Sequence, residues 1–220
     1  MRDCRRSSPF IGVALVLVPW LSTAGPAYAQ EGADRPIGRF VVDVRGAITP
    51  FGDTTEFAGL RGLDGSLTPG LGLGLEAGAH VYLYRWRVIT FGLGGSVHTS
   101  LGDRGASELD PNPDGPTIRK QLVAVSPQLS FNFGGRDGWS YISGGLGNAR
   151  LSLFPIGAGR AGQQTRSLNY GGGGRWFTSD HLALSLDLRF YALTPLEKTE
   201  TEPGSPRMTV MVFSIGTAFR

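Results

Sequence analysis

Three pairs of residues set two apart carry most of the chemistry this sequence could perform: Asp43-x-Arg45, His98-x-Ser100 and Asp187-x-Arg189. Residues i and i+2 of an extended strand point to the same side. Each pair is therefore presented together if its segment is a strand. A carboxylate beside a guanidinium can form a charge-assisted pair, and Glu76 and His80, four apart, add an acid and a neutral or cationic ring. A His beside a Ser hydroxyl is the start of a nucleophile, but it also needs a carboxylate to orient the ring. The nearby candidates, Asp103 and Glu108, fall in what reads as a loop.

Two other patterns are weaker. Gly157-Ala158-Gly159-Arg160-Ala161-Gly162 fits G-x-G-x-x-G, but no helix pattern follows and no acidic residue sits at the expected distance. With 34 glycines in the chain, such a match arises easily, and it reads as a flexible loop. The three histidines are His80, His98 and His181, too scattered for a zinc site. No metal or other cofactor is expected.

What positions the charged pairs is clearest in Leu182 to Tyr191, where Leu182, Leu184, Leu186, Leu188 and Phe190 alternate with Ala183, Ser185, Asp187, Arg189 and Tyr191. Alone, the apolar face could meet either a protein core or lipid. The N-terminus bears on that choice. Arg2, Arg5 and Arg6 precede an apolar run, Ile11 to Leu21, and Ala27-Tyr28-Ala29 forms an A-x-A cleavage site, so residues 1–29 read as a cleaved signal peptide and residues 30–220 as one domain. Cleavage removes Cys4, the single cysteine, which excludes a disulfide framework or a thiol nucleophile. It also removes Arg2, Arg5 and Arg6 against Asp3, so the formal net charge of +3 falls to about +1. Nothing in that balance points to nucleic acid.

Eight alternating segments follow: about Gly38 to Ile48, Leu71 to Tyr84, Arg87 to Thr99, Lys120 to Phe133, Trp139 to Leu153, Ser167 to Phe177, His181 to Leu193 and Arg207 to Phe219. They are long for globular strands and suit tilted membrane-crossing ones. Connectors alternate between short (Tyr84 to Trp86, Gly134 to Gly138, Thr178 to Asp180) and long (Thr49 to Pro69, Ser100 to Arg119, Phe154 to Arg166, Thr194 to Pro206). Outer-membrane barrels show this asymmetry, with short turns on the periplasmic side and long loops outside. The pattern predicts an all-β fold, an eight-stranded antiparallel up-and-down transmembrane β-barrel. Tyr84, Trp86, Phe133, Trp139, Trp176 and Phe177, beside the short turns, read as an aromatic girdle at one interface. Tyr82 and Tyr141 are expected to join it. Asp43, Arg45, Glu76, His80, Asp187 and Arg189 then share the inner face, as do His98 and Ser100. Eight strands leave a lumen barely wide enough for side chains, so these charges are expected to pair and fill it.

The segment Asn169 to Leu184, with Gly171-Gly172-Gly173-Gly174-Arg175-Trp176-Phe177-Thr178-Ser179-Asp180-His181, followed by Asp187-Leu188-Arg189-Phe190-Tyr191, resembles the last hairpin of the small outer-membrane β-barrel family that includes the OmpA-like transmembrane domain. Phe213, Ile215 and Phe219 resemble the C-terminal signal read by the barrel assembly machinery, although Arg220 follows the final aromatic. The sequence stops at the eighth strand, so a peptidoglycan-binding domain is not expected. The resemblance implies a monomer in the outer membrane of a diderm bacterium, surrounded by outer-membrane lipid. The expected role is non-enzymatic, in envelope structure or surface contact, with a plugged lumen. Two alternatives stay open: a narrow pore for small solutes, and a lipid A-modifying enzyme, since lipid A deacylases of this barrel size use a His and Ser two apart.

Overall fold

A computed structural model describes residues 36–220 except 53, 106–114, 159–161 and 201–202. The signal segment 1–29 lies outside the described residues, as do Glu108 and residues 159–161 of the glycine-rich loop.

Eight strands form one closed antiparallel up-and-down barrel. They are β1 (Phe40–Pro50), β2 (Leu71–Trp86), β3 (Ile89–Arg104), β4 (Ile118–Gly135), β5 (Gly138–Pro155), β6 (Gln164–Phe177), β7 (Leu182–Leu193) and β8 (Met208–Phe219). The ring closes where β1 pairs with β8, for example Val42 with Phe219 and Ile48 with Phe213, so no sheet edge remains. Closure gives every strand a partner on both sides, which a hydrocarbon surrounding demands.

The side-chain period of two does the rest. On β1 Val42, Val44 and Ile48 face out and Val41, Asp43, Arg45, Ala47 and Thr49 face in; on β7 Leu184 and Leu188 face out and Ser185, Asp187 and Arg189 face in. Leucines such as Leu73, Leu75 and Leu146 are 65%, 62% and 73% exposed, which makes the outer wall a continuous apolar belt. An area of this kind is far larger than water-soluble monomers leave bare, and lipid is its natural medium. None of the described helices is long and apolar enough to cross a membrane.

The strands run further than the sequence pattern indicates. β3 reaches Arg104 and β4 starts at Ile118, because the Asp103–Arg119 pairing adds a final rung. The first short turn falls at Arg87 and Val88 instead of Tyr84 to Trp86, with Arg87 at φ 53°. A bulge between Tyr82 and Tyr84 explains the shift: the extra residue turns Leu83 and Tyr84 both outward, each 63% exposed. The β4–β5 ladder is interrupted from Ser126 to Gln128, opposite Gly145 to Gly147. Pro127 sits at the centre of that gap and has no N–H to donate.

The first long connector is built, not open. It holds a one-turn helix, α1 (Thr55–Gly59), and a 3₁₀ turn, Gly65–Leu67, whose first N–H groups are met by Asp64: Ser66 N–H donates to its carboxylate at 2.9 Å. That bond holds the Asp64 carboxyl below its usual pKa.

Candidate functional site: a lumen closed at three levels

The inner charges form one network at mid-barrel. The Arg45–Glu76 contact comes straight from the register, since the two are cross-strand partners on β1 and β2. Arg45 Nη2 donates to Glu76 at 2.9 Å, and its Nη1 donates to the hydroxyls of Tyr141 at 3.0 Å and Ser185 at 3.1 Å. Ser214 donates to the second Glu76 oxygen. Asp187 and Arg189, two apart on β7, bond each other through two contacts of 3.1 and 3.0 Å. Arg189 also donates to Asn169 and Ser143 and lies 3.7 Å from Glu76. The Tyr141 hydroxyl accepts from Arg45 and donates to Asp187 at 2.6 Å, which links the β1–β2 half of the network to the β7 half.

Asp43 is held by a residue outside the predicted set. Arg175 on β6 clasps it through Nε at 2.9 Å and Nη2 at 2.6 Å, while Ser185 donates to the same carboxylate. Arg175 lies in the glycine run of β6, next to the outward Trp176, and it faces in because its parity matches Asn169. Parity along β6 was the signal that could have found it. Three guanidiniums (Arg45, Arg175, Arg189) thus meet three carboxylates (Asp43, Glu76, Asp187), each at most 3% exposed. Charges so buried are tolerable only when paired and hydrogen-bonded.

His80 shares this face and is 5% exposed, yet neither ring nitrogen has a hydrogen-bond partner among the described residues. Its ring lies over Gly94 on β3, where a Cβ would collide with the ring and with the Ala79 carbonyl. His80 therefore adds bulk to the lumen and does not join the ion network.

Below the network the lumen is filled by aromatic rings. Trp139 is 3% exposed, stacks on Phe177 with centroids 5.0 Å apart and receives Tyr82 edge-on at 5.8 Å. This corrects the girdle expected from the sequence. Trp139, Tyr141, Tyr82 and Phe177 all lie near short turns, but strand parity sends them inward, where they pack with Ile37, Val41 and Ala218. Outside, Tyr84, Trp86, Phe133 and Trp176 remain as the ring at that end, 37% to 63% exposed. Arg220 closes over the same end, its guanidinium 3.7 Å above the Phe177 ring and donating to the Asp180 and Arg136 carbonyls. Phe213, Ile215 and Phe219 stand outward on β8 at 42%, 49% and 46% exposure.

Above the network the plug is apolar. Phe57 of α1 is 1% exposed and packs, with Phe51 and Ala58, among Leu122, Leu151, Tyr191 and Val212 of the upper wall. Lys120 is fully buried here; its Nζ donates to Thr54 at 2.9 Å and lies 4.6 Å from the Phe51 ring.

His98 and Ser100 do meet, with Nε2 and Oγ 3.2 Å apart. Both are inside, at 0% and 1% exposure, and the His98 ring stacks on Tyr191. Its Nδ1, which a triad would give to a carboxylate, has no partner among the described residues. Asp103 instead clasps Arg119 on the outer wall at 2.7 and 2.6 Å. The pair thus sits sealed between the network and the upper plug, away from lipid. Residues 157–162 join β5 to β6, so a strand follows them where a nucleotide-binding loop needs a helix. No group of three or more metal-binding side chains gathers among the described residues.

No protein-family model matches this sequence, and no curated protein does either. Solved structures do match in shape. Ail, the attachment invasion locus protein of Yersinia pestis, solved with the heparin analogue sucrose octasulfate, is 12% identical with a TM-score of 0.53; the match covers 83% of this chain and 98% of that one. Neisserial surface protein A is 13% identical with a TM-score of 0.49, covering 82% and 96%. The outer membrane protein OprG of Pseudomonas aeruginosa is 14% identical with a TM-score of 0.44, covering 84% and 96%. The fold of this chain is that of small eight-stranded outer-membrane barrels.

Proposed function

We propose that this chain is an outer-membrane barrel with a sealed lumen, which serves the envelope through its outer wall and long loops and moves no solute. The observation that carries the reading is the triple obstruction: an aromatic layer around Trp139, a charge-balanced network around Tyr141, and the Phe57 plug. A narrow pore would need all three to move together. Removing only one layer leaves two barriers in series.

A non-enzymatic role is supported by the burial of His98 and Ser100, since a lipid ester on the outer wall cannot reach a hydroxyl 1% exposed inside it. The exposed belt and the outward aromatic ring support residence in outer-membrane lipid. The Phe213, Ile215 and Phe219 stripe fits recognition by the barrel assembly machinery, and export is expected through the cleaved segment 1–29. A closed sheet with no free edge supports a monomer.

Planar-bilayer recording of the refolded protein tests the sealed lumen. The expected trace is silent at moderate voltage. Stable single-channel steps abolished by lumen substitutions would sink the reading in favour of the pore.

A further inference from the structure

The outer wall is not uniform. On β1, β2 and β3 the apolar belt reaches the long-loop end, through Ile48, Leu71 and Leu101, but on β5 and β6 polar side chains interrupt it. Leu146 and Leu168 are register partners on the outer faces of β5 and β6, and the rungs that follow them are polar. The next outward rung is Asn148 with Arg166, and the one after is Arg150 with Gln164. Arg207 follows two strands away, just before β8, beside the Thr194 backbone that bonds Arg166. Strands lie about 5 Å apart, so Arg166 and Arg207 are roughly 10 Å apart at the backbone. Arg150, Arg166 and Arg207 are exposed, and among the described residues none has a side-chain ion pair or hydrogen bond. The described outward positions of β5, β6, β7 and β8 include no Asp or Glu. On β3 and β4, by contrast, the outward Arg119 is matched by Asp103.

The wall between Arg166 and Arg207 is concave, and Arg150 lines the adjoining depression on the β4 side. Arg166, Arg207, Asn148, Leu168 and Ala192 line a depression of about 550 Å³. Beneath it lies the stacked pair Tyr170 and Phe190, with centroids 5.4 Å apart. Below that pair is a second groove of about 400 Å³, apolar, lined by Ile142, Leu188 and Phe131 and floored by Gly144 and Gly172. A Cβ on Gly172 would come within 2.6 Å of the Tyr141 carbonyl, so this floor is held bare by the packing of β5 on β6. Three guanidiniums without an ion pair among the described residues, at the edge of the hydrocarbon and above an apolar groove, match a molecule with several negative charges and long chains.

We infer that the β5–β8 face is a binding site for a bisphosphorylated glycolipid of the outer leaflet, with its phosphates on Arg150, Arg166 and Arg207 and an acyl chain in the glycine-floored groove. Guanidinium forks suit phosphate oxygens, and basic clusters at a membrane surface recognise anionic head groups. Two phosphates favour the glycolipid over a glycerophospholipid, because three cations stand without a counter-charge among the described residues. The site rests on the proposal that the outer wall faces outer-membrane lipid; it does not depend on whether the lumen conducts.

Native mass spectrometry of the detergent-solubilised barrel with added hexa-acylated, bisphosphorylated lipid A tests it, with phosphate-free lipid A and phosphatidylglycerol as separate arms. Retention of lipid A above both is expected. Arg150→Gln, Arg166→Gln and Arg207→Gln should each weaken retention about fivefold and the triple variant about a hundredfold, at roughly one surface charge interaction per arginine. The exposed arginines at the other end, Arg39, Arg85 and Arg87, changed together to Gln, should leave retention unchanged. Heat-modifiable gel mobility confirms that each variant is a folded barrel, and its absence in the wild type would remove the membrane reading itself. Equal retention by the triple variant, equal loss in the control variant, or phosphatidylglycerol held as tightly as lipid A would each overturn the assignment.

Discussion

Arg175→Met is the most informative single change in the lumen. It removes the two-pronged hold on Asp43, at 2.9 and 2.6 Å, and keeps most of the buried volume. Breaking a buried pair by deleting one member costs about 3–5 kcal/mol, because the other charge is left uncompensated. Here Asp43 keeps the Ser185 hydroxyl at 2.9 Å and Arg45 at 3.5 Å, which places the expected loss near the lower figure, ~3 kcal/mol. Asp43→Leu runs the other way. It leaves Arg175 facing only the rings of Tyr141, 4.2 Å away, and Trp139, 5.8 Å away, and should cost the larger figure, ~5 kcal/mol. The double variant Asp43→Leu with Arg175→Met removes both charges and should fall within ~1 kcal/mol of the parent. Urea unfolding of the barrel refolded into lipid vesicles reads all three, with tryptophan emission as the signal. A loss under about 1 kcal/mol for Arg175→Met would refute the closed network, since it would mean water or ions reach Asp43.

Other changes probe separate parts of the structure. Gly172→Ala should destabilise the barrel by about 1–3 kcal/mol, since the backbone carbonyl of Tyr141 blocks the new methyl, whereas Gly59→Ala, with nothing within 4 Å, should be neutral or better; the same unfolding assay compares them. Phe57→Ala empties the centre of the upper plug and should cost about 3 kcal/mol, yet bilayer recordings should stay silent because the network and the Trp139 layer persist. His98→Ala should leave lipid A acylation in the cell unaltered; a changed acyl pattern by mass spectrometry would restore the enzyme reading. Lys198→Cys, in the exposed last long loop, should be labelled on intact cells by a membrane-impermeant maleimide, and labelling only after outer-membrane disruption would reverse the topology.

Much of this architecture was readable from residue alternation alone. The inward set Asp43, Arg45, Glu76, His80, Asp187 and Arg189 follows from strand parity, and so does the Arg45–Glu76 pairing once β1 and β2 are neighbours. Trp139 departs from the girdle pattern because a residue beside a turn can face either way. Nearness fixes depth only; parity decides between lipid and lumen, and on β5 it points Trp139, Tyr141 and Ser143 inward. Tyr84 stayed outward for a reason no alternation reveals, the bulge that inserts one residue after Tyr82. Arg175 was hidden by its glycine neighbours, which give a pattern no contrast between faces. The α1 plug escaped as well, being five residues long with too few apolar positions to show a helical period.

The balance of Arg45, Arg175 and Arg189 against Asp43, Glu76 and Asp187 has an electrical consequence. A single charge carried across a membrane does about 2.3 kcal/mol of work per 100 mV. These six groups sum to zero and sit on one short stretch of the barrel axis, so a shift of the whole set couples to a potential only through a small dipole. The mid-barrel layer therefore has no net gating charge, and that layer is expected to be indifferent to voltage of either sign.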